Sequence, residues 1–205
     1  QRLPQLKGQP GYSGVWPDHI TSFVESFASA GYHTVMAGKW HQGNSPEASP
    51  HARGFERAFY LADGGASHFS DASGQTSSAP TAGYFEDGRR VENLPSDFYS
   101  THFYVNKFIR YLDDKKEKAN TAPFFGYLAF TAPHWPLQVP DDWQDKFSGA
   151  YDDGWEKIRG QRIESARKLG LIPRSAAAPP FPDALGSWAD LSEKDKAREA
   201  RKMEL

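Results

Sequence analysis

Cysteine is absent from the 205 residues. A disulfide framework, a thiolate zinc site and a cysteine nucleophile are therefore excluded within them. The absence does not separate cytosolic from secreted compartments, since chains of both kinds can lack cysteine. Long hydrophobic runs are missing too. Nothing approaches the ~20 apolar residues that span a bilayer, and no signal peptide opens the chain. Charge of one sign is equally scarce. Lys and Arg number 24 against 26 Asp and Glu, a formal net charge of −2. That balance gives no electrostatic reason to expect nucleic acid or an anionic membrane as a partner. The first residue is Gln1 and not Met, from which we expect a processed or excised stretch of a longer protein.

What is plentiful points to a folded domain. Aromatic residues make up 14% of the chain, with 14 Phe, 9 Tyr and 6 Trp, a composition that argues against disorder. The length is enough for one domain with a sizeable core. Fifteen Pro and 18 Gly imply long loops between regular elements.

Hydrophobic spacing locates those elements. Ile20, Phe23, Val24 and Phe27 mark one face of a helix, with Asp18 as N-cap and Gly31 as stop. His33 to Lys39 reads as a strand. Residues 42–83 show little periodicity, and 64–83 reads as a long loop, which in a compact domain is usually functional or disordered. Asp87-Gly88, between Tyr84-Phe85-Glu86 and Arg89-Arg90-Val91, is a hairpin signal. Val105, Phe108, Ile109 and Leu112 predict a second helix. Phe124 to Phe130 is a continuous apolar run, the pattern of a strand buried on both faces. Asp141-Asp142 open a short helix, Tyr151 to Leu169 read as a charged helix, and 173–183 as a linker. Ser187 to Leu205 form a last helix. Helix and strand alternate, so we expect an α/β sheet covered on both faces. Two central strands are too few for a complete one.

Chemistry gathers at two strand ends, where ligands of open α/β sheets bind. Lys39 and His41 stand two residues apart, on one face of an extended backbone. His134 lies between Pro133 and Pro136, which stiffen the corner that carries it. A lysine reaching water from a strand end and a hydrogen-bonded structural histidine account for the same residues. The residues alone therefore reach only a cationic pocket for an anion. His68 sits in the long loop, either lining a cleft or simply exposed. Asp113-Asp114, Asp141-Asp142 and Asp152-Asp153 are metal ligands by type, but helix-end and solvated roles explain them.

Gly31-Tyr32-His33-Thr34-Val35-Met36-Ala37-Gly38-Lys39-Trp40-His41 resembles a signature of the type I sulfatase (arylsulfatase) family, in the alkaline-phosphatase-like superfamily. Arg53-Gly54-Phe55 resembles the segment that follows it there. Leu128 to Gln138, containing Thr131-Ala132-Pro133-His134-Trp135-Pro136, is similar to the family's second histidine motif. The Gly8 to Tyr12 stretch, the Asp87-Gly88 hairpin and the Asp152 to Leu171 helix have counterparts in the bacterial arylsulfatase subgroup.

The resemblance implies an alkaline-phosphatase-like sandwich with a central, mostly parallel sheet, present only in part: residues 1–205 would be an internal segment of a catalytic domain. It implies hydrolysis of aryl or alkyl sulfate esters by the whole protein. Lys39 would bind a sulfate oxygen. His41 would contact a hydrated formylglycine and act as the base that expels sulfate. His134 would bind or protonate the leaving group. The departures are equally definite. No Ser begins a Ser-x-Pro-x-Arg motif, and there is no Cys to begin its Cys counterpart. The formylglycine, the Asp and Asn ligands of the family's calcium, and a late lysine are expected outside these residues. Gln42 stands where many members have Leu. On this basis the isolated chain is expected to be inactive. A phosphonate or phosphate monoester hydrolase of the same superfamily, or an inactive anion-binding fragment, are the alternatives.

Overall fold

The computed structural model describes residues 4–205 except 10, 13, 14, 16, 18, 44, 78 and 118–120. The expected N-cap Asp18 lies outside the described residues. The chain divides into two compact units, residues 1–138 and 139–205.

The first unit begins with α1 (Phe23–Ser29), which starts because Ser22 closes a capping box with Glu25. The Ser22 hydroxyl accepts from the Glu25 amide at 3.1 Å, and the Glu25 carboxylate accepts from the Ser22 amide at 2.5 Å. Two amides at the open helix end are thereby satisfied. Gly31, at φ 82°, ends the turn, in a conformation that costs glycine little. β1 (His33–Lys39) follows.

Stretch 42–83 holds more order than its weak periodicity predicts. β2 (Arg57–Leu61) runs parallel to β1, with Lys39 opposite Leu61. A small ribbon, β3 (Ser73–Thr76) with β4 (Ala79–Thr81), lies further on. The hairpin of β5 (Tyr84–Glu86) and β6 (Arg89–Arg90) turns on Asp87 and Gly88, both at positive φ, the geometry that Asp-Gly favours. After α2 (Ser100–Glu117), β7 (Phe124–Ala129) pairs parallel to β1. The main sheet is thus five-stranded and mixed, in the order β6-β5-β2-β1-β7.

Alternation along the central strands divides the core. Val35, Ala37, Phe59 and Leu61 face α2, where Tyr104 and Tyr111 are buried with them. Met36, Ala58 and Tyr60 face the other way, packing with Val24 of α1 and with Trp40 and Phe55. β7 departs from the expectation of a strand buried on both faces. It is the edge of the sheet, and Phe124 and Tyr127 are 52% and 42% exposed. Gly126 still lets Phe108 of α2 pack close, since a Cβ there would stand 2.3 Å from the ring. Phe125 stacks on Phe27 of α1 at 4.6 Å between centroids.

The second unit contains a 3₁₀ turn at Asp141–Trp143, α3 (Trp155–Lys168) and α4 (Glu193–Glu204), capped by Ser192. The helix read over Tyr151 to Leu169 is shorter, because Gly154 at φ 83° starts it late. The helix read from Ser187 begins at Glu193, since Ser187 caps a separate 3₁₀ turn, Trp188–Asp190. Trp155 and Trp188 meet edge to face at 4.9 Å. No described helix is long and apolar enough to cross a membrane.

Candidate active site

The parallel strands β1, β2 and β7 all end at the same side of the sheet, and the sequence-predicted residues stand there. Lys39 is the last residue of β1 and half-buried. By alternation it continues the Val35–Ala37 row that faces α2. Burial lowers the Lys39 pKa, since the charged form has lost part of its hydration. A partly desolvated ammonium gains from an anion that restores its hydrogen bonds.

His41 does not follow the same row. The strand ends before it and its φ is 52°, so the two-residue alternation that would place it beside Lys39 does not apply. A left-handed non-glycine backbone is uncommon, and such positions cluster at functional sites. The ring lies over Gly64, where a Cβ would stand 2.9 Å from Cε1. Burial first, then the positive charge of Lys39 and that of His134, hold the His41 imidazole below its ordinary pKa; Asp63 pulls the other way. Lys39, His41 and His134 therefore share one electrostatic neighbourhood.

His134 lies in the exposed corner beyond β7, where the Ala132–Pro133 and Trp135–Pro136 peptide bonds are cis. Its amide donates to the Thr131 carbonyl at 3.0 Å. Thr131 is itself buried, with its hydroxyl 3.2 Å from that of Tyr104 in α2.

His68 is not an exposed loop residue: it is 2% exposed. Its Nε2 is 3.3 Å from the His134 carbonyl and its Nδ1 is 2.8 Å from the Ser100 hydroxyl at the start of α2. A carbonyl only accepts, so Nε2–H donates and Nδ1 accepts from the serine. Burial pushes the His68 pKa down, against the pull of the His134 and Pro136 carbonyls. Through His68, the corner carrying His134 is tied to the start of α2, the side of the sheet that Lys39 faces.

Asp63, through its charge on His41, and His68, through the His134 carbonyl, thus join the site; the sequence left His68 open between lining a cleft and simple exposure and gave Asp63 no role. Asp63 had one available signal: it lies just past a parallel strand, where ligands bind, but that strand had gone unread. Arg53-Gly54-Phe55, by contrast, is structural. The Ser22 hydroxyl donates to the Arg53 carbonyl at 2.9 Å and that of Thr34 to the Gly54 carbonyl at 2.7 Å. Phe55 is buried.

Each of the three acid pairs has a member engaged by a neighbouring side chain. Asp114 pairs with Arg57 at 3.1 Å, Asp141 accepts from Gln144 at 2.8 Å, and Asp153 pairs with Lys157 at 2.7 Å. Among the described residues no group of three or more His, Asp or Glu side chains is placed to hold a metal.

Comparison with known proteins places this chain in a family. Residues 5–196 match the family model described as Sulfatase. The chain is 37% identical, over 97% of its length, to an uncharacterized sulfatase of Schizosaccharomyces pombe, of which it covers 36%. It is 44% identical to the arylsulfatase of Klebsiella aerogenes over 80% of this chain and 35% of that one. The chain thus spans about a third of the length of these relatives. Among solved structures, that of Ps i-CgsB superimposes with a TM-score of 0.56 at 23% identity, covering 75% of this chain and 38% of that one. The mixed α/β sheet is that of these proteins in part, and the chain belongs to the sulfatase family.

Proposed function

We propose that the protein hydrolyses sulfate esters, aryl or alkyl, and that this chain supplies the groups that hold the sulfate and help the alcohol leave. The observation that supports the reading is the position of Lys39 at the end of β1 and of His134 just past the end of β7, neighbouring parallel strands that end at the same side of the sheet. The two motifs that carry them lie far apart in sequence, and both resemble sulfatase motifs.

Roles follow from chemistry. A sulfate ester breaks with charge building on the bridging oxygen and shared over the sulfate oxygens. The Lys39 ammonium, partly desolvated, holds a sulfate oxygen and stabilises that charge. His134 donates a hydrogen bond or a proton to the bridging oxygen. His41, kept neutral by its surroundings, serves as the base. We infer that the nucleophile, a formylglycine by resemblance, and the calcium ligands come from outside these residues.

The test uses the intact protein with matched aryl sulfate and aryl phosphate esters. Lys39→Ala should cost ~10²–10³ in kcat on the sulfate, as removal of one preorganised oxyanion donor does. A preference for the phosphate ester would transfer the reading to phosphate monoester hydrolysis. No dependence on Lys39 would overturn it.

A further inference from the structure

Three side chains converge on the corner that carries His134, and the reaction as assigned uses none of them. Gln75, from β3, places its Nε2 3.0 Å from His134 Nδ1 and 2.5 Å from the Trp135 carbonyl oxygen. His68 holds the His134 carbonyl from the buried side at 3.3 Å. Gln138 completes the bracket in the opposite direction, its Oε1 accepting from the His68 amide at 2.9 Å. We propose that Gln75 and His68 are positioning residues for His134. The proposal rests on the reading of His134 as the leaving-group donor.

The orientation of the Gln75 amide follows from its partners. Flipped, its oxygen would sit against the Trp135 carbonyl oxygen, acceptor on acceptor. The amide nitrogen therefore faces that carbonyl and donates to it, with His134 Nδ1 beside it at 3.0 Å. His134 Nδ1 also lies 2.9 Å from the Trp135 carbonyl oxygen.

The floor under this contact is glycine. A Cβ at Gly65 would stand 2.5 Å from Gln75 Nε2, so only glycine leaves the amide where it reaches His134. On the buried side, His68 joins two fixed points, the first residue of α2 and the corner. The ring is thus held at its own nitrogen and through its backbone, as a donor aimed at one atom requires.

Gln75 is exposed, so Gln75→Leu removes its hydrogen bonds without opening the core. In the intact protein, Gln75→Leu should lower kcat on sulfates of basic alcohols by up to ~10²-fold, the effect of a misplacement of about 1 Å. Sulfates of acidic phenols should be affected far less, and the melting temperature should hold. His68→Ala should do the same with some loss of stability. His68→Gln, which keeps an N–H near the position of Nε2, should recover most of the rate.

The reference is His134→Ala. If that variant loses the leaving-group-dependent rate and Gln75→Leu keeps the rate pattern, the positioning proposal fails while the role of His134 stands. If His134→Ala itself changes nothing, the functional reading fails. Gln75→Leu made in the His134→Ala background should then have no further effect; a full additional loss would mean that Gln75 acts elsewhere.

Discussion

β1 and β7 both deliver a residue to the site, and they do so by different means. β1 lies between two strands, and Val35, Met36 and Ala37 are completely buried. The lysine proposed to bind sulfate is part of the strand, so the sheet register places it. β7 is an edge strand with half-exposed aromatics. The histidine proposed to aid the leaving group stands past the strand end, and side chains from residues 68 and 75 contact it. One position is set by backbone pairing, the other by a handful of directed hydrogen bonds. The first should therefore fail only with the fold, and the second should yield to small changes.

Gly38 is the sharpest place to break β1. A Cβ there would lie 1.9 Å from the Ala129 carbonyl oxygen, and φ is 129°. No side chain can give way, because the obstacle is the backbone of β7. Gly38→Ala should cost more than ~4 kcal/mol, a range reached only by such steric or buried-group mechanisms. Urea unfolding followed by tryptophan fluorescence would read it, and a loss below ~1 kcal/mol would show that the strands separate easily.

The next contrast sets matched truncations against each other. Met36→Ala removes a completely buried side chain of β1 and should cost about 2–5 kcal/mol. Tyr127→Ala removes a side chain of β7 that is 42% exposed and should cost about 1 kcal/mol, the centre of the usual distribution. Equal losses would mean that β7 is buried as deeply as β1.

Substitutions of the proposed site residues should barely register on the same scale. Lys39→Ala and His134→Ala should each shift stability by ~0.5 kcal/mol or less, since neither side chain fills the core. A structural role for either predicts the reverse, a falling melting temperature with near-normal kcat in the folded fraction.

The smallest effect is a titration. The folded-state pKa of His41 lies below its ordinary 6.5, so folding favours the neutral ring. The associated stability is present above the unfolded value and is lost as pH falls through the folded one. Lys39 contributes to the depression, so Lys39→Ala should move the His41 titration up, toward 6.5. An unchanged or lowered midpoint, followed by NMR, would place the two groups apart.

Much of the fold was legible because its signals are local. The α1 stripe, the Gly31 stop and the Asp87-Gly88 turn each depend on residues a few positions apart. β2 was missed because Arg57-Ala58-Phe59-Tyr60-Leu61 is short and, being buried on both faces beyond Arg57, lacks alternation. β7 has the composition of a central strand and the position of an edge one; composition reports what a strand can bury, not what lies beside it. Lys39, His41 and His134 could be picked out because prolines and strand ends mark them. Gln75 and His68 could not be placed, since their contacts with the corner span 59 and 66 residues and no short pattern encodes them.

Lys39, His41 and His134 are proposed to act together on one sulfate ester. The most direct measurement is kcat for a series of aryl and alkyl sulfates of increasing leaving-group basicity, on the intact wild type and His134→Ala, with melting temperatures on the same preparations. The account predicts unchanged melting and a rate loss that grows as the departing alcohol becomes more basic. A loss uniform across the series, or one that tracks a lower melting temperature, would contradict it.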